Sequence, residues 1–246
     1  MSEHAGLRER KKMRTHRAIS DAAIALFLER GFDRVSVADV AAAAEVSKPT
    51  LFKYFAAKED LVLHRITDHR GEFARVVRAA PGEPPLDALH RHFVDGLDRR
   101  DPVTGLNAAP EVLAFHGMVF TTPSLQARLS RYAESERESL ADALAEHPTA
   151  LAEARRPPAG RSPAPGGDLT ARLAAAQIIA VTHVLARDNW RRLTDGQDAG
   201  SAHPGAVADA DHAFALLATG LTPHPSGDDV TARCTVTRQE DGGSST

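Results

Sequence analysis

Residues 36–58, SVADVAAAAEVSKPTLFKYFAAK, decide the fold of this chain because they predict two short helices joined by a tight turn. Ser36 and Asp39 stand three residues apart, the spacing at which a hydroxyl and a carboxylate satisfy the free N–H groups at a helix start. An apolar stripe then follows at helical spacing, made of Val37, Val40, Ala41 and Ala44. The small alanines allow a second helix to approach closely.

The second helix, predicted from about residue 48 to 55, presents a basic and aromatic face. Ser47 offers its N-cap, and Pro49 lies in the first turn, where the missing N–H does little harm. Leu51 and Phe55 stand four residues apart and point inward, which leaves outside or at the margin Lys48, Thr50, Phe52, Lys53 and Tyr54. Aromatic side chains beside lysines on an exposed face indicate a surface that binds DNA.

Individual roles follow from position on this helix. Lys48 lies where the first residues of a recognition helix meet base edges in the major groove, while Thr50 and Tyr54 offer hydroxyl groups to phosphates. Lys58 precedes the next helix, whose N-terminal dipole favours a phosphate. The predicted DNA-contacting residues are Ser36, Val37, Lys48, Pro49, Thr50, Phe52, Lys53, Tyr54 and Lys58.

Residues 14–63 resemble the N-terminal domain of TetR-family transcriptional regulators, whose helix-turn-helix reads V-S-K-x-T-L-Y-x-Y/H-F-x-x-K-E-D-L. Residues 46–61 of this chain read VSKPTLFKYFAAKEDL and match at nearly every diagnostic position. Three departures are Glu45 for the usual Gly of the turn, Phe52 for Tyr, and Ala57 for Ser or Asn. The resemblance implies an all-α fold: a three-helix, helix-turn-helix head and a helical domain for ligand binding and dimerisation.

Composition and charge agree with a protein that offers DNA one end only. Residues 1–58 contain eleven Lys and Arg against seven Asp and Glu, a net charge of +4, and the remainder carries −7. No run of 18 apolar residues is present, so no membrane span is predicted, and the polar N-terminus favours a cytoplasmic location. The single cysteine, Cys234, excludes an internal disulfide, and its own role stays open.

Four regions are predicted along the chain. Residues 1–13 form a basic, disordered arm, either a solvated tail or a segment that reaches DNA. Residues 14–57 form the DNA-binding domain, named the head below, whose first helix spans about 15–30. Residues 58–221 form the body, which contains a flexible Pro- and Gly-rich linker over 148–168. Residues 222–246 form a disordered tail.

The body is predicted to begin with one long connecting helix from Lys58 to about Ala80, which ends before the Pro- and Gly-rich segment 81–85. Further helices are predicted over 86–99, 108–120, 123–147, 169–193 and 205–220. The resemblance implies a homodimer in which the last two helices, 169–193 and 205–220, pair with their symmetry mates. Two stripes fit helix packing there, either between subunits or inside one: Ala174, Ile178, Val181 and Leu185, and Val207, Ala210, Phe214 and Leu217.

A small-molecule pocket is expected among the middle helices, with apolar walls that suit a hydrophobic or aromatic ligand. The candidate lining residues, each of which could equally be core, are Phe93, Leu97, Leu113, Phe115, His116, Met118, Phe120, Tyr132, His183 and Trp190. No metal or cofactor site is predicted, because the pairs His90/His92 and His64/His69 diverge around a helix and no cysteine supports them.

The function predicted from these features is a homodimeric repressor that a small molecule releases from a palindromic operator in double-stranded DNA. A ligand-dependent activator remains an alternative, because the sequence does not show the sign of the response. An all-α enzyme is a second alternative, in which residues 36–58 are an ordinary helical hairpin, but no catalytic motif supports it. A third is a DNA-bending protein without ligand control, which leaves the acidic body unexplained.

Overall fold

The computed structural model describes residues 2–67, 69–147 and 167–220, and these residues form helices without strands, which confirms the all-α fold class. The helices are α1 (Ser2–Arg30), α2 (Val37–Ala43), α3 (Lys48–Tyr54), α4 (Asp60–Thr67), α5 (Glu72–Ala79), α6 (Pro85–Asp98), α7 (Pro110–Thr121), α8 (Pro123–Glu146), α9 (Gly167–Thr194) and α10 (Ala199–Gly220). A short 3₁₀ turn spans Pro102–Thr104. The predicted tail, with Cys234, and residues 148–166 of the predicted linker lie outside the described residues.

The first helix is longer than the sequence pattern predicts. The structure continues α1 back to Ser2, so the prediction of a disordered arm over 1–13 is wrong for residues 2–13. The reason is the helix propensity of LRERKKMR at 7–14, which contains only Leu, Arg, Glu, Lys and Met. The backbone of this segment is therefore helical and continuous with the first helix of the head.

The connecting helix is broken into α4 and α5, which corrects the prediction of one helix over 58–80. Gly71 adopts a left-handed conformation with φ of 70°, and its N–H donates to Glu136 Oε1 at 2.7 Å. This glycine starts α5 without a side-chain cap, and only glycine adopts this backbone geometry without strain. The connecting segment is thus a short helix, α4, followed by a turn that contacts α8 through Glu136.

The core of the head does not end at residue 58. Buried side chains of α1, α2 and α3 join apolar residues of α4, α7 and the start of α8 in one cluster, which includes Ile19, Phe27, Val40, Leu51, Leu61, Phe115, Val119 and Leu125. The head therefore rests directly on the body. The division between domains at residues 57 and 58 stays a prediction.

The rest of the body packs around α8 and α9, with α6 and α10 on the other side of the same core. Gly105, at φ of 75°, lies so close to α9 that an added Cβ would stand 1.9 Å from the carbonyl oxygen of Ala186. The helix α10 begins earlier than predicted, because the Asp198 carboxylate accepts the N–H of Ser201 at 3.1 Å and starts the helix before Pro204.

The last two helices have one buried and one exposed apolar face. The two predicted packing stripes belong to the core of the subunit, since Ala174, Ile178, Leu185, Ala210, Phe214 and Leu217 are buried and Val181 and Val207 are partly buried against them. The opposite face exposes four large apolar residues, namely Leu169, Leu173, Val184 and Leu216, between 52% and 59% of each. The stripes predicted from the sequence therefore do not form the exposed surface.

By length and composition, residues Leu169–Thr194 of α9 would suffice to cross a membrane, and 33% of the most apolar 18-residue window is buried within the subunit. The sequence pattern predicts no span because charged residues interrupt every apolar run. Since one face of α9 packs on α8, the apolar composition has a structural role in the subunit core.

Candidate nucleic-acid interface and ligand cavity

Side-chain caps fix the start of both helices in the head. Ser36 Oγ accepts the N–H of Asp39 at 3.2 Å, and Asp39 Oδ2 accepts the N–H of Ser36 at 2.8 Å. The hydrogen bonds from the hydroxyl and then the N–H of Ser36 lower the pKa of the Asp39 carboxyl. Ser47 Oγ accepts the N–H of Thr50 at 3.2 Å and caps α3 in the same way. These bonds satisfy N–H groups that would otherwise lack partners.

The turn between α2 and α3 contains a strained residue. Glu45 has φ of 53°, in the left-handed region, and its N–H donates to Ala42 O at 3.1 Å. This conformation costs a residue with a side chain about 1 kcal/mol. Glycine, the usual residue at this position of the motif, adopts this conformation without that cost because it has no Cβ. Glu45 adopts it with the cost.

The outward face of α3 has the character that the sequence pattern predicts. Leu51 is 1% exposed and faces the core, whereas Phe52 is 51% exposed. Lys48 and Lys53 are exposed, and neither forms an ion pair or hydrogen bond within the described residues. Two unpaired ammonium groups beside an exposed ring form a surface that attracts phosphate.

The other predicted contact residues of α2 and α3 differ in exposure. Ser36 and Pro49 are exposed, while Thr50 is half-buried, with its Oγ1 2.8 Å from Ser47 Oγ. Val37 and Tyr54 are half-buried and pack on the core of the head. Fewer residues are therefore fully exposed on this face than the sequence predicts to contact DNA.

Lys58 is placed differently from its prediction. Its ammonium group donates a hydrogen bond to the carbonyl oxygen of Phe32 at 2.5 Å and lies 4.4 Å from the centroid of the Phe32 ring. The sequence pattern predicts a phosphate contact at the start of the next helix. The charge is instead used inside the head, where a carbonyl dipole and an aromatic face stabilise it.

A basic groove of about 340 Å³ adjoins the C-terminal end of α3. It is lined by Lys12, Met13, His16, Arg17, Lys53, Tyr54 and His64. Lys12, Arg17 and His64 are absent from the predicted set. Lys12 belongs to the arm predicted to be disordered, and the positions of Arg17 and His64 beside α3 depend on the packing of α1 and α4. His16 Nδ1 lies 3.0 Å from His64 Nε2, which joins α1 to α4 at the base of this groove.

Asp60, the first residue of α4, joins the head to the body. Its Oδ1 accepts hydrogen bonds from Arg128 Nε and the Tyr132 hydroxyl, both at 2.8 Å, and its Oδ2 accepts Arg128 Nη2 at 2.9 Å and the Ala57 N–H at 3.1 Å. Asp60 is 9% exposed. We name Asp60, Arg128 and Tyr132 the α4–α8 clamp. It holds α4, which directly follows α3, against α8.

Tyr132 links this clamp to a cavity of about 130 Å³ in the body. Burial and then the hydrogen bond to Asp60 raise the pKa of its phenol, so the hydroxyl remains a donor. Apolar side chains form much of the cavity wall: Ile66, Phe73, Phe93, Val103, Leu129 and Ala133. The same ring thus contacts the cavity with its face and α4 with its hydroxyl.

Carboxylates of the cavity wall are engaged by neighbouring residues. Glu72 Oε2 lies 2.6 Å from His69 Nδ1, and its Oε1 lies 3.2 Å from His92 Nε2. These hydrogen bonds, first from His69 and then from His92, hold the pKa of Glu72 far below its ordinary value. Glu136 accepts the Gly71 N–H, and Asp101 Oδ1 accepts the Val103 N–H at 3.1 Å.

Of the ten residues predicted to line a ligand pocket, the structure brings Phe93, Tyr132 and His183 to this cavity. Leu97 is fully buried in the core of the body. Six lie elsewhere, in or near α7, in contact with the head or with each other: Leu113, Phe115, His116, Met118, Phe120 and Trp190. A ligand pocket among the middle helices stays a prediction, and α7 faces the head.

His116 is buried beside aromatic residues of α7. Its ring stacks on Phe120 at 5.6 Å between centroids, and burial lowers the pKa of its imidazole. Its Nδ1 has no hydrogen-bond partner among the described residues. Phe120 in turn meets Trp190 edge to face at 5.3 Å. This cluster explains the aromatic content of α7 by packing.

Sequence reasoning missed several residues of the cavity wall, mainly in the turn before α5 and at the end of α6: His69, Arg70, Glu72, His92, Arg99 and Asp101. The His92 and His69 imidazoles meet at Glu72 rather than at a metal. Within the described ranges, no group of three or more His, Cys, Asp or Glu residues is arranged to hold a metal ion.

Part of the chain is similar to a known protein family. Residues 19–64 match the family described as bacterial regulatory proteins, tetR family. The chain is 34% identical over 143 residues to the HTH-type transcriptional regulator TcmR of Streptomyces glaucescens, across 57% of this chain and 63% of TcmR. It is 36% identical over 100 residues to the HTH-type transcriptional repressor Rv3405c of Mycobacterium tuberculosis, across 39% of this chain and 50% of that protein.

The chain thus spans between half and two thirds of the length of these relatives. Among solved structures, NalD of Pseudomonas aeruginosa, the secondary repressor of the MexAB-OprM multidrug efflux pump, is 19% identical with a TM-score of 0.49, over 82% of this chain and 97% of NalD. The names of the two relatives designate transcriptional regulators.

Proposed function

We propose that this chain, whose residues 19–64 match the TetR family of bacterial regulatory proteins, is a homodimeric transcriptional repressor of that family. In this proposal the dimer binds a near-palindromic operator and leaves it when a small molecule fills the cavity of the body. The observation that supports DNA binding most directly is the outward face of α3, on which Lys48 and Lys53 are exposed and unpaired within the described residues.

The local structure supports a reading role for this face. Ser36 and Ser47 fix where α2 and α3 begin, and Leu51 and Phe55 pack α3 against the core of the head. Lys48 at the first position of α3 would reach base edges, and Lys53 near its end would contact phosphate. The basic groove with Lys12 and Arg17 extends the same positive surface along α1.

Dimerisation is supported by the exposed apolar face of α9 and α10. Leu169, Leu173 and Val184 lie on one side of α9, since residues 4 and 11 positions apart fall within one helix face, and Leu216 is exposed on α10. An apolar surface of this kind is unfavourable in water. A second copy would bury it and would place two reading helices about 34–36 Å apart, one turn of DNA.

Release by a ligand is supported by the position of the α4–α8 clamp. Tyr132 forms part of the cavity wall and donates to Asp60, which begins the helix after α3. A ligand that shifts Tyr132 would therefore weaken the hold of α8 on α4 and change the spacing of the two reading helices. A differential affinity of about 1–3 kcal/mol between the two shapes is enough for such a switch.

A regulator of this type acts on chromosomal DNA, and we propose a cytoplasmic location for it. The names of the relatives designate transcriptional regulators rather than enzymes. The word repressor in the name of Rv3405c is consistent with the proposed sign of control, and an activator remains the alternative.

The test is fluorescence anisotropy of the purified protein with labelled DNA from directly upstream of its own gene. Random duplex DNA serves as competitor, at two salt concentrations. We expect saturable binding that resists the competitor, with one dimer per site, and an affinity that falls steeply with salt because phosphate contacts release counterions.

Two variants make this test specific to α3. Lys48→Ala combined with Lys53→Ala should abolish resistance to competitor, whereas Arg131→Ala, which removes one exposed positive charge on α8, should not. Operator affinity that survives the double substitution would contradict the assignment of α3 as the reading helix.

A further inference from the structure

The cavity in the body is lined by positive groups without a negatively charged partner among the described residues. Arg70, in the turn before α5, and Arg99, at the end of α6, are exposed and line this cavity. Neither guanidinium group has a hydrogen bond or an ion pair among the described residues. The Arg70 guanidinium lies 5.2 Å from the centroid of the Tyr132 ring, so its charge is placed directly beside the apolar wall.

The negative groups of the same wall already have donors. Both oxygens of Glu72 are held by His69 and His92. Glu136 binds the Gly71 N–H, and Asp101 caps the 3₁₀ turn through the Val103 N–H. The hydroxyls of Thr104 and Thr182 donate to backbone carbonyls. The carboxylates of this wall are therefore at least partly engaged, whereas the guanidinium groups of Arg70 and Arg99 keep their N–H donors available within the described residues.

We infer that the effector is an amphipathic organic acid, with an apolar or aromatic body against Phe73, Phe93 and Tyr132 and an anionic group bound by Arg70 or Arg99. A guanidinium offers several N–H donors in a planar arrangement that matches a carboxylate or phosphate. The apolar wall supplies affinity, and the charged groups fix the orientation of the ligand.

This inference rests on the proposed function, because it names the ligand class of the same cavity. The anion beside Arg70 would draw this guanidinium from the face of Tyr132, whose hydroxyl holds Asp60. Ligand charge would thereby act next to the α4–α8 clamp. An organic cation directed to the second oxygens of Glu136 and Asp101 is the competing class, and the experiment separates the two.

The experiment is calorimetric titration of the full-length protein with three probes of equal shape: 2-naphthoate, the neutral 2-naphthamide and 2-naphthylmethylammonium. We expect 2-naphthoate to bind at least about ten times more tightly than the amide, which corresponds to about 1.4 kcal/mol. Its affinity should fall as salt rises, because the charges at the cavity are exposed. The cation should bind most weakly.

Substitutions assign the preference to the two arginines. The double variant Arg70→Gln with Arg99→Gln should bind 2-naphthoate no better than the amide, while its affinity for the amide stays within about twofold, because the apolar wall is unchanged. Arg131→Gln, an exposed arginine of α8 outside the cavity, should retain the preference. Thermal unfolding of each variant shows that it is folded.

Three outcomes would overturn the inference: tightest binding of the cation, a preference for naphthoate that survives the double substitution, or no binding of any probe. DNA binding of the ligand-free variants is measured in parallel. If the wild-type protein binds 2-naphthoate through the arginines but binds no operator, the proposed function fails and the ligand class stands. If it binds operator but shows no arginine-dependent preference, the ligand class alone fails.

Discussion

The head and the body use their polar side chains in different ways. In the head, the capping hydrogen bonds of Ser36 and Ser47 join residues three positions apart, and Lys48 and Lys53 remain unpaired within the described residues. In the body, polar groups meet across long stretches of chain. Asp60 and Arg128 are 68 residues apart, and other such pairs are Asn189 with Thr104 and His90 with Asp211.

The head presents charged groups without partners at its surface, whereas the body uses charged groups in contacts between its helices. Charges without protein partners in the head are available to an external polyanion. In the body, pairs such as Asp60 with Arg128 and His90 with Asp211 hold helices against each other. Arg70 and Arg99 have no ion pair or hydrogen bond among the described residues, and they line the cavity of the body.

The largest expected effect comes from charging the exposed apolar face of α9. If the two heads act only as a pair, Leu173→Glu should convert the dimer to a monomer and lower operator affinity by at least about 100-fold, since the second head then no longer benefits from linkage to the first. Light scattering and anisotropy measure the two effects. Leu28→Glu, on an exposed part of α1, should leave the dimer intact; a stable Leu173→Glu dimer would show that the interface lies elsewhere.

The α4–α8 clamp provides the next test, because it connects the two regions. Asp60→Asn removes the charge that Arg128 and Tyr132 share and should lower the free energy of unfolding by about 3 kcal/mol. Denaturant titration measures this change. Asp142→Asn, an exposed residue of α8 without a partner in the described chain, should change stability by less than about 0.5 kcal/mol. Equal effects of the two substitutions would contradict the clamp.

Within the head, two lysines should differ in kind. Lys48→Ala should cost about 1–3 kcal/mol on operator and relax base preference, because this residue is assigned to base edges. Lys53→Ala should weaken binding on all sequences equally and reduce the salt slope by about one unit. Competition between operator and random duplex measures both. An equal loss on both DNAs for Lys48→Ala would remove its reading role.

The local caps of the head should have a smaller effect. Ser36→Ala removes the acceptor of the Asp39 N–H and should lower the free energy of unfolding by about 1 kcal/mol. Ser124→Ala, at an exposed serine of α8, is the matched control. Denaturant unfolding that shows no difference between these two variants would mean that the capping box contributes nothing in solution.

The smallest effect concerns Glu72 and pH. The pKa of this carboxyl is lowered in the folded state, so its contribution to stability is complete above its ordinary value of 4.5 and is lost as pH falls below that value toward the lowered pKa. Glu72→Gln should therefore unfold with a shallower dependence on pH between about 4.5 and 3. Thermal unfolding across this range measures the slope, and parallel curves for the two proteins would contradict the assignment.

The contrast between local and long-range pairs also explains how far sequence reasoning reaches. The boundaries of α2 and α3 follow from Ser36, Asp39 and Ser47, whose partners lie in the same turn. The break at Gly71 was missed because its cause is Glu136, 65 residues away. For the same reason Lys58 was assigned to phosphate, although its partner is the distant carbonyl of Phe32.

The apolar pattern of α9 and α10 likewise does not show by itself which face of each helix is buried. Spacing identified stripes suited to packing, yet both faces of α9 contain apolar residues, and only tertiary structure shows that the stripe of Ala174, Ile178 and Leu185 is the buried one. The cavity was placed among the middle helices from composition. Its charged residues were not predicted, because the turn before α5 and the end of α6 have no distinctive sequence pattern. The two segments meet only in the folded body.

The most direct test of whether the protein binds a palindromic DNA site as a dimer is in vitro selection from a random double-stranded DNA library. It uses the full-length protein and needs no prior choice of promoter. If the protein binds DNA as a homodimer, the selection should enrich a two-fold symmetric sequence bound by one dimer. Its half-sites should lie about one helical turn or slightly more apart. Leu173→Glu and Lys48→Ala proteins should fail to enrich it. Enrichment of no sequence, or of a single asymmetric site bound by one subunit, would contradict the account.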